Sequence, residues 1–516
     1  MKLIWLFQCI DEGMRERIAF VTSARSYTHG EICQAAASLI RRLSNQGVRR
    51  GQRVVLISEH DENALVFLAA ASAIGIQIVM PYNLNNAAVS EWTGLIDTVL
   101  PDHVVCLKRD AEAIARLRAK GTHVIKIDVF GDTPSDMLEA DIVVECPDPV
   151  DSFLVLFTSG TSGKAKAVSI SEALVCTRIA MVSARLNFSP DARIFMTGLM
   201  NNTTGVIFSF GALLHDATLV FPQGRMIENW PEQVERQRIT HMMLRPIAMR
   251  RFVDGVRASK ADLSSLRVLA YGAAALPKPL LKEGRALMKC EWVQGYGLSE
   301  TFGPFCWLTE DGHAHRLYEK FVYCVGKPDS SLDVSLRYPE GQQGGVGEVV
   351  LRGANLMEGY LDFATNTVQP VGEFFATGDY GEFSPEGDLI LKGRISNTIL
   401  SENGHRIYPE EVESVMAGIE GVEEVVLLNA PTAQNLGNAP IACIHGPLTA
   451  RDGEEVRAIV LGQLNAQLSQ EKWPDYLFLS QEPFPKSAND KLIKAGVLDM
   501  IERTTLIRVS NMEQTQ

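Results

Sequence analysis

The stretch FTSGTSGKAKAV, from Phe157 to Val168, indicates the fold and chemistry of this chain more directly than any other. It follows an apolar run typical of a buried strand, and it mixes glycines with hydroxyl side chains ahead of Lys164 and Lys166. Glycines let a backbone approach an anion closely, backbone N–H groups and hydroxyls donate to phosphate oxygens, and lysines neutralise charge. The stretch therefore predicts a phosphate-binding loop, although a Ser/Gly-rich surface turn is the alternative. The GxxxxGK[ST] spacing of a Walker A loop does not fit it.

Apolar runs and helical patterns alternate on both sides of this loop. Helical spacing predicts a helix from Tyr27 to Gly47. Strand-like runs separated by helical segments then recur from RVVLISE at Arg53 to EWVQGYG at Glu291. Such alternation is typical of parallel sheets covered by helices on both faces.

The pattern changes twice toward the C-terminus. Short strands and turns dominate after about residue 325, and a compact α+β pattern follows Arg394. The predicted fold class is therefore α/β, with a large N-terminal domain of parallel or mixed sheets flanked by helices, a β-barrel-like subdomain, and a small α+β C-terminal domain. We place the large domain at residues 1–394 and the small domain at residues 395–516.

Composition narrows the classes of function. The 516 residues are 46% hydrophobic and 22% charged, as in ordinary globular proteins. A net charge of −13 weighs against general binding to nucleic acid or to an anionic membrane. The nine cysteines form no CxxC pair, which favours buried thiols in a reducing compartment over disulfides or zinc. No apolar run is long enough for a membrane span, so we expect a cytoplasmic protein without stable membrane insertion.

Two later segments carry groups suited to a nucleotide. In GYGLSET, from Gly295 to Thr301, Tyr296 offers a flat face for a purine and Glu300 a carboxylate for Mg²⁺. The alternative is a strand–turn–helix start in which Ser299 caps the helix. In TGDYGEF, Asp379 can accept hydrogen bonds from the two hydroxyls of a ribose, although an Asp after Gly is often only a turn residue.

Taken in order, these segments resemble the signature motifs of the acyl-adenylate-forming superfamily. That superfamily includes acyl- and aryl-CoA synthetases, adenylation domains of nonribosomal peptide synthetases, and firefly luciferase. The resemblance covers essentially the whole chain. The matching segments are FTSGTSGKAKAV, YGAAALP from Tyr271, GYGLSET from Gly295, TGDYGEFSPEGDLILKGR from Thr377, and PKSANDK from Pro485.

The resemblance implies a role for each matching residue. Tyr296 would stack on adenine, Asp379 and Arg394 would hold the ribose, and Glu300 would hold Mg²⁺. The implied catalytic residues are Lys491, Thr158 and Glu300, although Asp490 stands where the family usually has Gly. The implied nucleotide-binding residues are Thr158, Ser159, Gly160, Thr161, Ser162, Gly163, Lys166, Ala273, Ala274, Ala275, Gly295, Tyr296, Gly297, Ser299, Thr301, Asp379 and Arg394.

By the same resemblance, an acyl pocket lies beneath the phosphate loop. Amino-acid-activating relatives usually place an Asp at the position of Asn202 or Thr203, and no acid is near it here. This argues against an ordinary α-amino acid as substrate. Asn201 and Asn202 could hydrogen-bond a substrate or could be turn residues. The implied pocket residues are Asn201, Asn202, Thr203, Gly272, Gly297 and Pro304.

The small domain resembles the mobile lid of the family. The loop NGHRIYPEEVE would enter the active site when the lid rotates, with Gly404 leaving room for a phosphopantetheine tunnel and Arg406 near phosphate. Ser396 stands at the hinge, where the family commonly has Asp or Lys. A small polar residue can still absorb a backbone rotation there.

The predicted function is that of an ATP-dependent acid–thiol ligase. With ATP and Mg²⁺ it would adenylate a small aryl or acyl carboxylic acid, forming acyl-AMP and pyrophosphate. It would then form a thioester with CoA, or with the phosphopantetheine of an acyl or peptidyl carrier protein acting in trans. Two alternatives remain: a stand-alone amino-acid-activating enzyme that serves a carrier protein, and an inactive homologue that acts as a binding protein.

Overall fold

A computed structural model gives the fold of the chain. It describes residues 2–8, 12–58, 62–81, 94, 96–107, 123–130, 150–158, 166–224, 226–274, 276–314, 323–338, 344–400, 405–432, 435–486, 492–502 and 506–509. The helices of this part, numbered in chain order, are α1 Trp5–Gln8, α2 Glu12–Arg15, α3 His29–Asn45, α4 Glu62–Ile74, α5 Glu172–Arg185, α6 Thr203–Leu214, α7 Trp230–Gln237, α8 Pro246–Ser259, α9 Lys278–Leu287, α10 Glu310–Ala314, α11 Pro409–Met416, α12 Gly453–Gln467 and α13 Lys494–Ile501.

The strands are more numerous and mostly short. They are β1 Ile18–Val21, β2 Ser26–Thr28, β3 Arg53–Ile57, β4 Gln77–Met80, β5 His103–Cys106, β6 Val124–Lys126, β7 Leu154–Thr158, β8 Lys166–Ile170, β9 Arg193–Phe195, β10 Thr218–Val220, β11 His241–Leu244, β12 Val268–Gly272, β13 Glu291–Leu298, β14 Gly303–Leu308, β15 Cys324–Pro328, β16 Asp333–Arg337, β17 Gly347–Arg352, β18 Gly359–Asp362, β19 Thr367–Pro370, β20 Phe375–Phe383, β21 Leu389–Arg394, β22 Ile399–Leu400, β23 Arg406–Ile407, β24 Glu424–Thr432, β25 Asn435–His445, β26 Tyr476–Ser480 and β27 Ile507–Arg508.

The largest sheet has 13 strands in the order β16-β17-β20-β21-β15-β14-β13-β12-β11-β9-β10-β1-β2. The run from β1 through β10, β9, β11 and β12 to β13 is parallel. Beyond β13 each neighbouring pair is antiparallel. The strands predicted as a β-barrel-like subdomain therefore continue the large sheet, because Trp307 of β14 pairs with Lys327 of β15.

A second sheet of eight strands carries the predicted phosphate-loop segment. Its order is β19-β18-β8-β7-β4-β3-β5-β6, with β7 parallel to β4 and antiparallel to β8. Thr158 at the end of β7 pairs with Lys166 at the start of β8. The loop therefore connects two adjacent antiparallel strands, and residues 159–165 themselves lie outside the described part of the chain.

One buried core joins the two sheets and the helices between them. Helix α4 is buried at every position from Ala64 to Ala73, so it lies inside this core and not on the surface. Such burial on all sides agrees with its almost uniformly apolar sequence. The α/β architecture predicted from the alternating pattern is confirmed here, with sheets enclosed by helices.

The C-terminal part has its own sheet and core. Strands β24, β25, β26 and β27 form a four-stranded sheet in that order. Helices α11 and α12 contribute Val412, Val456 and Val460 to the cluster of buried side chains that packs against this sheet. Within the described residues this sheet shares no strand with the two larger sheets, and β22 and β23 form a separate two-stranded sheet. The division of the chain after Arg394 stays a prediction, and this separate core supports it.

The predicted helix from Tyr27 begins later than expected. Helix α3 starts at His29 because the Thr28 hydroxyl accepts from the Glu31 N–H, while the Glu31 carboxylate accepts from the Thr28 N–H. This reciprocal arrangement satisfies N–H groups that a helix leaves unpaired at its start. Tyr27 itself belongs to β2, so the prediction of a helical Tyr27 was wrong.

No helix in the described part of the chain is both long and apolar enough to cross a bilayer.

One acidic side chain in the C-terminal part of the chain makes the stability of the fold depend on pH. Burial raises the pKa of Glu413 to about 7, although the Leu427 N–H donates to its Oε1 at 2.8 Å. A carboxyl whose pKa is raised on folding stabilises the folded state below its ordinary pKa of 4.5. That contribution is lost as the pH rises through about 7.

We therefore expect Glu413→Gln to raise the free energy of unfolding at pH 8 by roughly 2 to 3 kcal/mol. At pH 4.5 it should change little, because the native side chain is then neutral and the amide oxygen still accepts from Leu427. Denaturant unfolding at the two pH values measures both effects. Glu420→Gln, at an exposed position, is the control. An equal effect of Glu413→Gln at both pH values would contradict the prediction.

Candidate active site

A cavity of about 190 Å³ lies where β12 and β13 end. The carboxyl ends of parallel strands are the usual place for a ligand in an α/β sheet. Ala273, just beyond β12, has a positive φ of 67°, a conformation that costs energy for a residue with a Cβ and often marks a functional turn. The described residues that line this cavity are Ala273, Ala274, Gln294, Gly295, Tyr296, Gly297, Leu298, Tyr323, Val325, Asp379, Leu391 and Arg394.

A hydrogen-bonded trio closes one side of the cavity. The Tyr296 hydroxyl donates to Oδ2 of Asp379 at 2.6 Å, and Nε of Arg394 lies 3.0 Å from Oδ1 of the same carboxylate. Arg394 also donates through Nη1 to the Thr377 carbonyl at 2.7 Å. The sequence separates Tyr296 from Asp379 by 83 positions, and the pairing of β20 with β21 brings Asp379 opposite Arg394.

The trio shifts the titration of its members. Burial raises the pKa of Asp379, even though Arg394 and the Tyr296 hydrogen bond both favour its charged form. Burial, together with the neighbouring Asp379 carboxylate, also holds the pKa of Tyr296 well above its ordinary value. Tyr296 therefore remains a hydrogen-bond donor, while Asp379 keeps acceptor capacity at the cavity wall.

Glu300, the predicted Mg²⁺ ligand, lies in a single helical turn, Ser299–Thr301, that follows β13. Its Oε1 accepts from the Tyr360 hydroxyl at 3.0 Å. No described residue donates a hydrogen bond to its second carboxylate oxygen, so that atom can take a metal ion. Mg²⁺ in nucleotide sites is usually held by one or two carboxylates, water and phosphate, which fits a lone Glu300. In the described part of the chain, no cluster of three or more potential metal ligands occurs.

Tyr360 also joins Glu300 to the phosphate-loop segment. The ammonium group of Lys166 lies 4.7 Å from the centroid of the Tyr360 ring, within the range of a cation–π interaction. Burial, followed by the Glu300 carboxylate, raises the pKa of Tyr360, so its hydroxyl stays protonated and donates. Thr158, at the other end of the loop, is half-buried at the end of β7.

The turn after β13 is shaped by close backbone contacts. A Cβ on Gly297 would lie 2.1 Å from the Gly303 carbonyl oxygen, so only glycine fits there. Thr301 is fully buried, and its hydroxyl donates to the Gly303 carbonyl at 2.7 Å. Thr301 therefore supports the turn and is not among the described residues that line the cavity. Ser299 does not cap the turn, since Leu298 occupies that position, so the capping alternative is wrong.

A second cavity, of about 230 Å³, adjoins the first and coincides with the predicted acyl pocket. The two cavities share the walls Ala273, Gly295, Gly297 and Leu298. The other described residues that line it are Val182, Leu186, Asn202, Thr203, Thr204, Ile207, Phe208, Met243, Arg245, Ala270, Tyr271, Gly272, Ser299, Gly303, Pro304 and Trp307.

The two asparagines of the predicted acyl pocket have different positions. Asn202 lines the pocket and also caps α6, because its Oδ1 accepts from the Gly205 N–H at 3.1 Å. Asn201 is buried, and its Nδ2 donates to the Pro81 carbonyl at 3.1 Å. Asn201 is not among the described residues that line the pocket. Its role as a substrate contact stays a prediction, and its position favours the structural interpretation.

The predicted hinge is a short helical turn, Ile395–Asn397, with Ser396 exposed. Asn397 donates to the Glu410 carboxylate at 3.0 Å and accepts from Lys494 at 3.0 Å. These contacts link the end of the large sheet to helices α11 and α13. The guanidinium of Arg406 lies 5.2 Å from the ring centroid of Tyr380, next to the strand position that carries Asp379.

Several predicted site residues lie outside the described part of the chain. Their assigned roles therefore stay predictions from the sequence. They are Ser159, Gly160, Thr161, Ser162, Gly163, Ala275, Gly404 and Lys491, together with Asp490 beside Lys491.

The motifs did not identify three residues that the structure places at the two cavities. Tyr360 supports Glu300, Tyr323 lines the first cavity, and Arg245 lines the second. Each belongs to a segment without a motif of its own. Only the end of a buried strand, HMML, immediately before Arg245 signals that its side chain could reach a ligand site.

Comparison with known proteins identifies the family. A model of the AMP-binding enzyme family matches residues 8–361. The chain therefore belongs to the AMP-binding enzyme family, and its predicted place in the acyl-adenylate-forming superfamily is confirmed.

The relatives and solved structures agree with this assignment. A feruloyl-CoA synthase of Amycolatopsis sp is 27% identical over 499 residues, which cover 91% of this chain and 93% of the relative. The crystal structure of the anthranilate CoA ligase AuaEII in complex with anthranoyl-AMP has a TM-score of 0.82 at 19% identity and covers 97% of both chains. The o-succinylbenzoate CoA synthetase MenE of Bacillus subtilis, in complex with ATP and a magnesium ion, has a TM-score of 0.79 at 21% identity, covering 96% of this chain and 98% of MenE. The prediction of an acid–thiol ligase is thereby confirmed as an enzyme class.

Replacing Tyr360 by Phe tests whether its hydroxyl holds Glu300 in place. The Phe ring keeps the contact with Lys166 but removes the donor to Glu300, and a hydrogen bond to a charged group contributes about 1.5–3 kcal/mol. We expect the Mg²⁺ concentration for half-maximal adenylation to rise about tenfold. ATP–pyrophosphate exchange at varied Mg²⁺ measures this. Tyr338→Phe, beside the edge strand β16, is the control. An unchanged Mg²⁺ requirement in Tyr360→Phe would show that the Tyr360 hydroxyl does not hold Glu300 in place.

Proposed function

We propose that the chain is an AMP-forming ligase that joins a small aryl or acyl carboxylic acid to the thiol of CoA. One observation carries this proposal: the cavity lined by Tyr296, Asp379 and Arg394 adjoins a largely apolar pocket, with which it shares four lining residues. A nucleotide in the first cavity and an acid in the second would place a carboxylate beside the α-phosphate. Such positioning is the main requirement for adenylation.

The lining of the acyl pocket supports an aryl or acyl acid. Its walls include Val182, Ile207, Phe208 and Trp307, and no described lining residue is an Asp or a Glu. An α-ammonium group would therefore lack a carboxylate partner, and a buried unpaired charge is costly. This favours an aryl or acyl acid over the alternative of amino-acid activation.

The relatives support the same cofactors and acceptor. Feruloyl-CoA synthase and the anthranilate ligase are named for CoA, and MenE was solved with ATP and a magnesium ion. We therefore assign ATP, Mg²⁺ and CoA to this chain. A carrier protein as the acceptor stays a second proposal, because the family also includes enzymes that load carrier domains.

In the first proposed step, a carboxylate oxygen of the acid attacks the α-phosphorus of ATP and pyrophosphate leaves. Tyr296 would stack on adenine, and Asp379 would accept hydrogen bonds from the ribose hydroxyls. Lys491 would stabilise the charge that grows on the α-phosphate. Mg²⁺, held by Glu300, would neutralise the phosphate oxygens.

In the second proposed step, the thiol attacks the acyl carbon, the bond to phosphate breaks, and AMP leaves. No nucleophilic side chain of the protein is needed, because positioning and charge stabilisation carry the rate. We propose that residues 395–516 rotate about Ser396 between the steps, so that Gly404 and Arg406 approach the thiol route. The exposed position of Ser396 in a short turn supports this rotation. We keep a cytoplasmic location as part of the proposal.

ATP–pyrophosphate exchange with a panel of acids tests the first step. Aryl and aliphatic acids should support exchange, and α-amino acids should not. Lys491→Ala should slow exchange by at least 100-fold, yet leave thioester formation from supplied acyl-AMP within a fewfold of the native rate. Lys486→Ala, five positions earlier and paired with Glu424, is the control. If no acid supports exchange in the presence of Mg²⁺ and ATP, the proposed ligase activity is refuted.

Proline at position 396 separates the two steps. Ser396→Pro restricts the backbone torsion on which a rotation depends. We expect exchange within about threefold of the native chain and thioester formation slowed by more than tenfold. AMP release with CoA measures the second step, and Ser396→Ala is the control. Equal loss of both steps would contradict a hinge at this residue.

A further inference from the structure

We infer that the acyl pocket selects acids that carry a second oxyanion group, such as a second carboxylate, and that Arg245 binds this group. This inference rests on the proposed function, since it names the substrate class of the same site. Its basis is a smaller third cavity beyond the acyl pocket and the kinds of side chains that meet between the two.

The third cavity has a volume of about 90 Å³, adjoins the acyl pocket, and has no described lining residue in common with the nucleotide cavity. The two share the walls Asn202, Thr204, Met243 and Arg245. The other described residues around the third cavity, which we call the outer cavity, are Thr197, Gly198, Leu199, Ile227, Trp230, Leu244 and Ala248. A substrate in the acyl pocket can therefore extend past Arg245 into the outer cavity.

The order of the strands indicates the direction in which a bound substrate extends through the pocket. Gly297 near the end of β13 borders the nucleotide cavity, whereas Arg245 directly follows β11, with β12 between the two strands. Neighbouring strands lie about 4.8 Å apart, so the ends of β11 and β13 are separated by roughly 10 Å. An acid whose reacting carboxylate lies by Gly297 would thus bring a group six to eight carbons away close to Arg245.

The charge around this point favours an anion. Arg245 is the only charged side chain among the described residues that line the acyl pocket and the outer cavity. Its guanidinium makes no hydrogen bond or ion pair with any described residue, and its side chain is exposed to solvent. A guanidinium without a carboxylate partner binds an oxyanion through two parallel hydrogen bonds, whereas it repels an ammonium group.

Further hydrogen-bond donors lie in the same region. Trp230 lines the outer cavity and is only 8% exposed, yet its Nε1–H has no acceptor among the described residues. Asn202 uses its Oδ1 to cap α6, which leaves its Nδ2 group as a donor. A buried donor without a partner costs free energy, and an acceptor on the substrate would satisfy it. Donors without matching acceptors are what an oxyanion requires.

The walls between the two ends are apolar, with Ile207, Phe208 and Met243 among them. A suitable substrate therefore has a reacting carboxylate, an apolar spacer and a second oxyanion. Linear dicarboxylates of six to eight carbons and aryl acids with a second acidic substituent have this form. Monocarboxylates of the same length would leave Arg245 and Trp230 without a partner.

Matched pairs of acids provide the test. The pairs are adipate and hexanoate, suberate and octanoate, and 1,4-phenylenediacetate and 4-methylphenylacetate. In ATP–pyrophosphate exchange, we expect the better dicarboxylate to exceed its monocarboxylate partner by at least tenfold in kcat/KM, mainly through a lower KM. Two parallel hydrogen bonds between a guanidinium and a carboxylate have about this effect.

Variants assign the preference to Arg245. Arg245→Gln should lower kcat/KM for the dicarboxylate about tenfold and leave that for the monocarboxylate within about threefold. Arg245→Lys should restore part of the preference, since it keeps the charge but not the two parallel hydrogen bonds. Arg250→Gln is the control, because Arg250 lies on α8, the helix that begins directly after Arg245, and pairs with Glu283 outside the cavities.

The outcomes separate this inference from the proposed function. The inference would be overturned if monocarboxylates supported exchange as well as or better than dicarboxylates and if Arg245→Gln left both rates unchanged. The ligase proposal would still stand in that case. A change in the KM for CoA alone in Arg245→Gln would also overturn it, because Arg245 would then contact the acceptor. If none of the tested acids supports exchange, the proposal that the chain is a ligase is refuted.

Discussion

The hydrogen bond from Tyr296 to Asp379 is the contact on which the nucleotide cavity depends. It joins β13, the last parallel strand, to β20, which belongs to the antiparallel part of the same sheet. Because Asp379 also pairs with Arg394 across β20 and β21, one carboxylate fixes three chain segments around the cavity. Removing any of the three groups would leave a buried polar partner unsatisfied, which links the stability of the fold to the site.

The sequence predicted the fold well where local patterns repeat. Apolar runs located parallel strands from β3 at Arg53 to β13 at Glu291. The start of α3 was missed by two residues, since the reciprocal cap between Thr28 and Glu31 competes with helical spacing. The joining of the antiparallel strands to the large sheet could not be predicted, because the pairing of Trp307 with Lys327 is a tertiary contact.

The site was predictable only where a motif accompanies the chemistry. GYGLSET and TGDYGEF led to Tyr296, Glu300 and Asp379, and the structure places two of these in direct contact. Tyr360 and Arg245 were not predicted, because their roles arise from neighbours that are distant in sequence. The predicted nucleotide contact of Thr301 stays a prediction, and its hydroxyl donates to the Gly303 carbonyl within the local turn.

The nucleotide cavity and the acyl pocket share a wall that is made mostly of glycine and alanine backbone. The acyl pocket has a second wall, which is made of side chains from α5 and α6. A larger residue at Gly297 would collide with the Gly303 carbonyl, so the shared wall has little freedom to vary. The helical wall is made of side chains such as Ile207 and Phe208, whose size sets the shape of the pocket, and Arg245 is exposed beside it. In evolutionary terms, a new acid specificity can therefore arise on one side of the pocket while the other side continues to hold the nucleotide.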